Sequence, residues 1–385
     1  MDKRILMDTA CQDLLTYGIW DGKHRLKYLI KKYGLRRTEA PQDLIFWPTG
    51  LLAAGLWQCR QEIEERRHDR KDVEEQSVKG GGGDAQGGQE AYDGRQGSAG
   101  IEWTLMRYYG RWLEKGSKIL WLDDLLAGET LLNLCETYRK KKEDNDFINE
   151  RTVESYRQAV EKLAEFALAY PTDEAGSFPY REAQKNGYIF ADSIGLACPF
   201  LYQYGVIYDK KETMELAVKQ IVNFLAYGMD DTTGLPYHGY RIKDDCKYGI
   251  IGWGRAVGWL LRGMIGCMTT AYGAERLTDS YVGIVDAALA FQRKDGYFSW
   301  QMQAVEGPAD TSATGMICAA VKKGISLGIL QDQKYEQALQ AGRSAIEKSV
   351  RDGRVYDCSG ECEGFGQYPQ RYGAYPWALG PALML

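Results

Sequence analysis

The sequence predicts an all-α chain of about six helical hairpins, closed into an α/α barrel or stacked as a helical solenoid. Three observations lead there. Four helix-like stretches in the second half run into acidic turns containing glycine and an aromatic residue, at 172–178, 231–237, 294–298 and 351–356. The turn glycines, Gly176, Gly234, Gly296 and Gly353, lie 58, 62 and 57 residues apart, a distance that suits two helices with their loops. No alternating strand pattern lasts beyond four or five residues, so extended chain is confined to loops.

Helical periodicity marks the segments 3–18, 23–33, 47–66, 101–115, 123–141, 151–169, 189–205, 210–228, 252–272, 279–293, 311–328, 334–349 and 372–385. Thirteen segments stand close to the twelve that six hairpins require. Between Glu64 and Gly100 the pattern changes to a charged run followed by Gly80-Gly-Gly-Gly-Asp-Ala-Gln-Gly-Gly. With few apolar residues this stretch cannot bury a core, so a solvated helix end and a flexible insertion at about 68–100 are expected. The insertion interrupts one catalytic-size domain, 1–385, without dividing it.

Composition narrows the function. Aromatic residues make up 12% of the chain, with ten Trp and 26 Tyr, a surplus that suits sugar stacking or simply packing between helices. The net charge of −5 comes with both signs interspersed, so no basic stripe is offered to nucleic acid or an anionic membrane. No apolar stretch approaches the roughly 20 residues of a membrane helix, and charges break the early apolar run, unlike a signal peptide. The nine cysteines are scattered, several in apolar helices (Cys198, Cys267, Cys318), the pattern of reduced thiols in a cytoplasmic protein. Cys358 and Cys362 lack the second Cys/His pair that a metal site of this type uses.

The residues after each acidic turn include the chemically useful ones. After the Gly176 turn comes Tyr188-Ile-Phe-Ala-Asp192, and after the Gly234 turn come His238 and Trp253-Gly-Arg255-Ala-Val-Gly-Trp259. After the Gly296 turn comes Asp310-Thr-Ser312-Ala-Thr314, and after the Gly353 turn Gln370-Arg-Tyr-Gly-Ala-Tyr-Pro-Trp377. Equivalent turns should open equivalent helices at one end of the fold, gathering these groups with several helix N-termini at a mouth suited to an anion. Each residue also has a purely structural reading. Asp192, Asp123 and Asp124 are placed as N-caps. Ser312 and Thr314 are likewise placed as caps, His238 as a turn residue, Arg255 as a bridge between helices, and Trp253 and Trp259 as core.

Five motifs in order resemble the unsaturated uronyl hydrolases of glycoside hydrolase families 88 and 105. They are Leu122-Asp123-Asp-Leu-Leu-Ala-Gly128, Phe190-Ala-Asp192 with Pro199-Phe-Leu, Pro236-Tyr-His238-Gly-Tyr, Trp253 to Trp259, and Thr311-Ser312-Ala-Thr314. The resemblance implies an (α/α)6 barrel over nearly the whole chain. It implies a hydrolase that removes a 4,5-unsaturated uronic acid from lyase-generated oligosaccharides, with unsaturated galacturonyl sugars from rhamnogalacturonan as the first expectation. No metal or organic cofactor is implied. The catalytic pair would be Asp192 and Asp123, with Asp124 the alternative to Asp123. Burial among Ile189, Phe190 and Ile194, together with a second carboxylate, would keep Asp192 protonated. Arg255 would bind the uronate carboxylate or hold a catalytic Asp. His238, Trp253, Trp259, Ser312, Thr314 and Trp47 complete the expected sugar-contacting set. Phe190, Val257 and Gly195-Leu196 depart from the family pattern and bear on substrate identity. An inverting glycosidase and a non-catalytic sugar-binding module are the alternative readings. Oligomeric state is not legible.

Overall fold

A computed structural model describes residues 2–17, 44–79, 97–143, 150–180 and 186–385. Twelve α-helices are present among them. They are α1 (Lys3–Thr16), α2 (Trp47–Lys79), α3 (Ser98–Glu114), α4 (Leu125–Glu143), α5 (Glu150–Leu168) and α6 (Ala191–Tyr208). The remainder are α7 (Lys211–Tyr227), α8 (Gly254–Gly266), α9 (Ala271–Leu289), α10 (Thr311–Ser326), α11 (Gln333–Lys348) and α12 (Pro376–Met384).

The even-numbered helices touch one another in order, and α12 returns to α2, so they form a closed inner ring. The odd-numbered helices lie outside: α5 against α4 and α6, α7 against α6 and α8, α11 against α10. This is an (α/α)6 barrel. Sequence explains the two layers. Outer helix α5 buries only Tyr156, Ala159, Val160, Leu163, Ala164 and Ala167, a single stripe with helical period. Inner helix α6 buries a continuous run from Ser193 to Tyr202, as a helix flanked on all sides must. Buried side chains from both layers join in one hydrophobic core.

Small residues let the inner helices approach. A Cβ on Gly55 of α2 would lie 2.4 Å from the carbonyl oxygen of Gly380 in α12, and one on Gly380 would lie 2.5 Å from that of Leu51. The ring therefore closes backbone against backbone at this seam. Lys322 secures it from α10: its Nζ donates to Glu62 Oε1 at 2.7 Å and to the Met384 carbonyl, also at 2.7 Å, capping the end of α12. Lys3 adds a second cation to Glu62 at 3.0 Å.

The acidic turns connect outer helices to inner ones. Asp173 accepts the backbone N–H groups of Ala175 and Ser177, and Asp230 accepts that of Thr233. The glycine that follows each takes positive φ, +84° at Gly176 and +69° at Gly234. The Gly234 turn leads into β2 (Tyr237–Arg241) and β3 (Cys246–Ile251), which form an antiparallel sheet with β1 (Ile189–Phe190) in the order β1-β2-β3. Phe190 pairs with Gly239 in this sheet, which sets His238 of β2 beside the start of α6.

Three boundaries differ from the sequence reading. The segments 252–272 and 279–293 break earlier, because α8 ends at Gly266 and Cys267–Thr270 form the link to α9. Apolar Cys267 and Met268 extend the helical pattern across that link, which hides it. The 47–66 segment continues to Lys79, so the proposed insertion at 68–100 begins inside α2 and ends inside α3; its middle, 80–96, and the 23–33 segment lie outside the described residues.

Gly55→Ala tests the seam. It should lower unfolding stability by about 1–3 kcal/mol, because the clash is with backbone and the alanine helix preference, about 1 kcal/mol, returns only part. Urea denaturation at unchanged slope would register this; a variant as stable as wild type contradicts it.

Candidate active site

The N-termini of neighbouring inner helices meet at one end of the barrel. Trp47 of α2 stands 5.0 Å from Trp377 of α12, and Arg255 of α8 donates to Ser312 of α10 at 3.3 Å. Asp192 lies in the first turn of α6. Its side chain keeps 14% of its exposure, and its Oδ2 is 3.2 Å from Nε2 of His238. His238 is fully buried, and its other nitrogen, Nδ1, is 2.8 Å from the Tyr368 hydroxyl. Three rings wall the imidazole: Trp253 at 4.5 Å, Phe190 at 4.7 Å and Phe365 at 5.2 Å between centroids. One polar couple thus sits in an aromatic box with a single partly open carboxyl.

The structure separates the two carboxylates at the start of α4. Asp124 Oδ2 accepts the backbone N–H of Leu120 at 2.7 Å and of Trp121 at 3.3 Å, so it caps the 3-10 turn Leu122–Asp124. Asp123 Oδ1 instead accepts the Tyr180 hydroxyl at 2.7 Å. Tyr180 stacks on Phe190 at 5.0 Å and 24°, and Phe190 is two residues before Asp192. Asp123 therefore belongs to the same aromatic wall as Asp192, and both carboxylates of the 123–124 pair are buried.

Arg255, Ser312 and Thr314 hold the wall together. Arg255 is 3% exposed and lies over the Trp253 ring at 4.8 Å. Its Nη1 donates to the Ser359 hydroxyl at 2.6 Å and carbonyl at 2.9 Å, and its Nη2 to the Gly360 carbonyl at 2.6 Å. Asp310, the N-cap of α10, completes the frame: its Oδ1 accepts the Ser312 hydroxyl at 2.6 Å and its Oδ2 the Ser359 hydroxyl at 2.6 Å. The Thr314 hydroxyl donates to the Asp310 carbonyl and accepts the Phe298 N–H, both at 2.9 Å. The hydroxyls expected to meet sugar are thus engaged inside the protein, and the arginine clasps a loop.

The two tryptophans of the α8 motif have parted company. Both are 2% exposed, but Trp253 faces His238, whereas Trp259 lies against α6, where a Cβ on Gly195 would come within 2.5 Å of its ring. Trp47 meets Trp259 edge-on at 6.1 Å and is 7% exposed, so these two build the barrel interior beside Trp377. A separate groove on α2, α4 and α6, lined by Trp57, Arg60, Asn133 and Ile207, holds none of these residues.

Three contributors escaped the sequence reading. Tyr180 follows the Gly176 turn, while Phe365 and Tyr368 come from the 360–371 loop between β4 (Cys358–Ser359) and β5 (Tyr372–Gly373). Pairing of Cys358 with Gly373 and of Ser359 with Tyr372 anchors both ends of that loop. The one local signal was an aromatic between glycines, Gly364-Phe365-Gly366, in an otherwise polar stretch. Burial, then the charge of nearby Asp192, pushes the Cys362 thiol up to about 12, so this loop cysteine stays protonated beside the site.

Arg255→Lys should destabilise the fold by about 3 kcal/mol, since an ammonium cannot reproduce the forked contacts to Ser359 and Gly360. Chemical denaturation with limited proteolysis of the 360–371 loop would measure it. Wild-type stability and protection would contradict the clasp.

Comparison with known proteins agrees with this architecture. A protein described as a possible member of family GH105 from Klebsiella pneumoniae superposes with a TM-score of 0.73 at 16% identity, over 100% of this chain and 92% of that one. An unsaturated glucuronyl hydrolase from Bacillus sp. GL1 superposes with a TM-score of 0.62 at 14% identity, over 98% and 95%. These likenesses show the shared fold. In sequence, the chain is 31% identical over 177 residues to an unsaturated 3S-rhamnoglycuronyl hydrolase from Alteromonas sp., covering 43% of this chain and 42% of that protein. It is 29% identical over 170 residues to Protein Atu3128 of Agrobacterium fabrum, covering 39% of this chain and 70% of that protein. Residues 86–385 match Glycosyl Hydrolase Family 88 as a whole, and the chain belongs to that family.

Proposed function

We propose that this protein removes a 4,5-unsaturated uronic acid from the non-reducing end of oligosaccharides by hydrating the C4=C5 bond, with Asp192 as acid and base. The observation that carries the reading is the Asp192–His238 couple, 3.2 Å apart, with the carboxyl at the open side of a box of Phe190, Trp253 and Phe365. The chemistry needs one carboxyl that delivers a proton to carbon and later takes one from water. Asp192 gives its proton to C4, leaving positive charge shared between C5 and the ring oxygen. Water adds at C5 and returns a proton to Asp192. The C5 hemiketal opens, the former anomeric carbon becomes an aldehyde, and the next sugar leaves with its oxygen. Attack is not at the anomeric carbon, so the spacing rule for retaining and inverting glycosidases does not govern it.

The other residues act around this step. Asp123, beyond Tyr180 and Phe190, is the second carboxylate, held by the Tyr180 hydroxyl behind the same aromatic wall. Half-buried Phe190 gives the sugar ring an apolar face, buried Trp253 backs the imidazole, and His238 steadies the carboxyl. Helix N-termini at the mouth favour the negative uronate. Arg255, Ser312 and Thr314 position these groups from within the wall, and Trp259 and Trp47 shape the interior behind it.

For the substrate, similarity to an unsaturated rhamnoglycuronyl hydrolase supports a uronate joined to rhamnose, with unsaturated galacturonyl-rhamnose as the first choice. We place the enzyme in the cytoplasm on its nine free cysteines. Among the described residues, no helix is long and apolar enough to cross a membrane.

Asp192→Asn should reduce turnover by about 10²–10⁴-fold while leaving folding and substrate binding largely intact. Loss of near-ultraviolet alkene absorbance from lyase-digested rhamnogalacturonan is the readout. A wild-type rate in the variant would reduce Asp192 to a helix cap. Reducing ends released from saturated sugars would assign an ordinary glycosidase.

A further inference from the structure

We propose that Tyr368 is a positioning residue that holds His238 as its Nε2–H tautomer and so decides which oxygen of Asp192 carries the transferable proton. Use of that proton rests on the hydration reading above; the tautomer itself does not. The inference comes from counting hydrogens around one phenol. The backbone N–H of Ile250 points at the Tyr368 oxygen at 3.4 Å, so that oxygen is already an acceptor. Its own hydrogen has one acceptor within reach among the described residues, Nδ1 of His238 at 2.8 Å. The phenol therefore donates, Nδ1 is the bare nitrogen, and the imidazole hydrogen sits on Nε2. Nε2 faces Asp192 Oδ2 at 3.2 Å and donates to it. With Oδ2 accepting, a protonated Asp192 holds its hydrogen on Oδ1, the oxygen free to meet a substrate.

The opposite tautomer has a definite cost. With Nδ1–H, the histidine would share the phenol oxygen with the Ile250 N–H, and the phenol hydrogen would have no acceptor among the described residues. Nε2 would then accept from Asp192, fixing the acidic proton against the imidazole instead of releasing it to carbon. Tyr368 is a dependable donor, because burial pushes its phenol above the ordinary value. The groups facing the imidazole are Asp192 from the first turn of α6, Tyr368 and Phe365 from the 360–371 loop, Phe190 from β1 and Trp253 before α8. Two of these titrate, Asp192 and Tyr368. Cys362 is the next ionisable neighbour of the couple, and it feels the charges of Asp192, Arg255 and Glu361.

The chain has three histidines, so His24→Gln with His68→Gln leaves His238 alone for nitrogen-15 NMR of the full-length protein. The expected spectrum shows a protonated Nε2 and a bare Nδ1. Tyr368→Phe keeps the ring beside Trp253 at 5.5 Å and Trp300 at 5.8 Å, so the fold should survive. It should mix or invert the tautomer, and lower kcat on the order of 10–100-fold with KM little changed. An Nδ1–H tautomer in the parent, or a Tyr368→Phe variant with unchanged tautomer and kcat, overturns the proposal. A shift in KM or stability alone, with the tautomer intact, also overturns it. A tautomer change in a protein inactive on all unsaturated uronyl oligosaccharides would support the positioning role and sink the hydrolase reading.

Discussion

Close approach of the six inner helices is the constraint on which the rest depends. At the α2–α12 seam the backbones meet with no room for a side chain at Gly55 or Gly380, and the same economy recurs where Trp259 lies on Gly195. A ring this tight leaves little interior to fill, so polar residues gather at its end, where the inner helices begin. Asp123, His238, Arg255, Asp310 and Ser312 are all buried there, each with hydrogen-bond partners from another element. Buried polar groups need such partners, and the ring supplies them by bringing helix N-termini together.

The wall and the Asp192–His238 couple are one network. Arg255 and Asp310 lie 4.0 Å apart, both buried, and share the Ser359 hydroxyl between them. An ion pair of this kind contributes little net stability compared with well-packed apolar residues, and its attested use is to specify one arrangement. Here it specifies the start of the 360–371 loop. That loop delivers Phe365 and Tyr368 to His238, and His238 meets Asp192. A helix cap on α10 is thus joined through hydrogen bonds and ring contacts to the carboxyl proposed to do the chemistry.

The sequence was most legible where a local pattern recurs. The glycine turns marked the outer-to-inner connections because an aspartate and a left-handed glycine are local requirements. The count of about six helical hairpins followed from their spacing, which left barrel and solenoid open, and the closed barrel followed from the family resemblance. Roles within the site were less legible, since each depends on contacts distant in sequence. Arg255 reads as a carboxylate binder until Ser359 and Gly360 are seen to occupy its fork. Asp123 and Asp124 are indistinguishable until Tyr180 and the Leu120 amide claim one each. Tyr368, 130 residues from His238, had no motif to announce it.

The account turns on protonation of carbon, and heavy water reports on that event. With an unsaturated uronyl disaccharide in deuterium oxide, proton NMR should show the vinyl signal at C4 disappearing as the second sugar is released. One deuterium should appear on C4 of the product. Release of a free uronate that keeps its vinyl proton and acquires no carbon-bound deuterium would contradict the account.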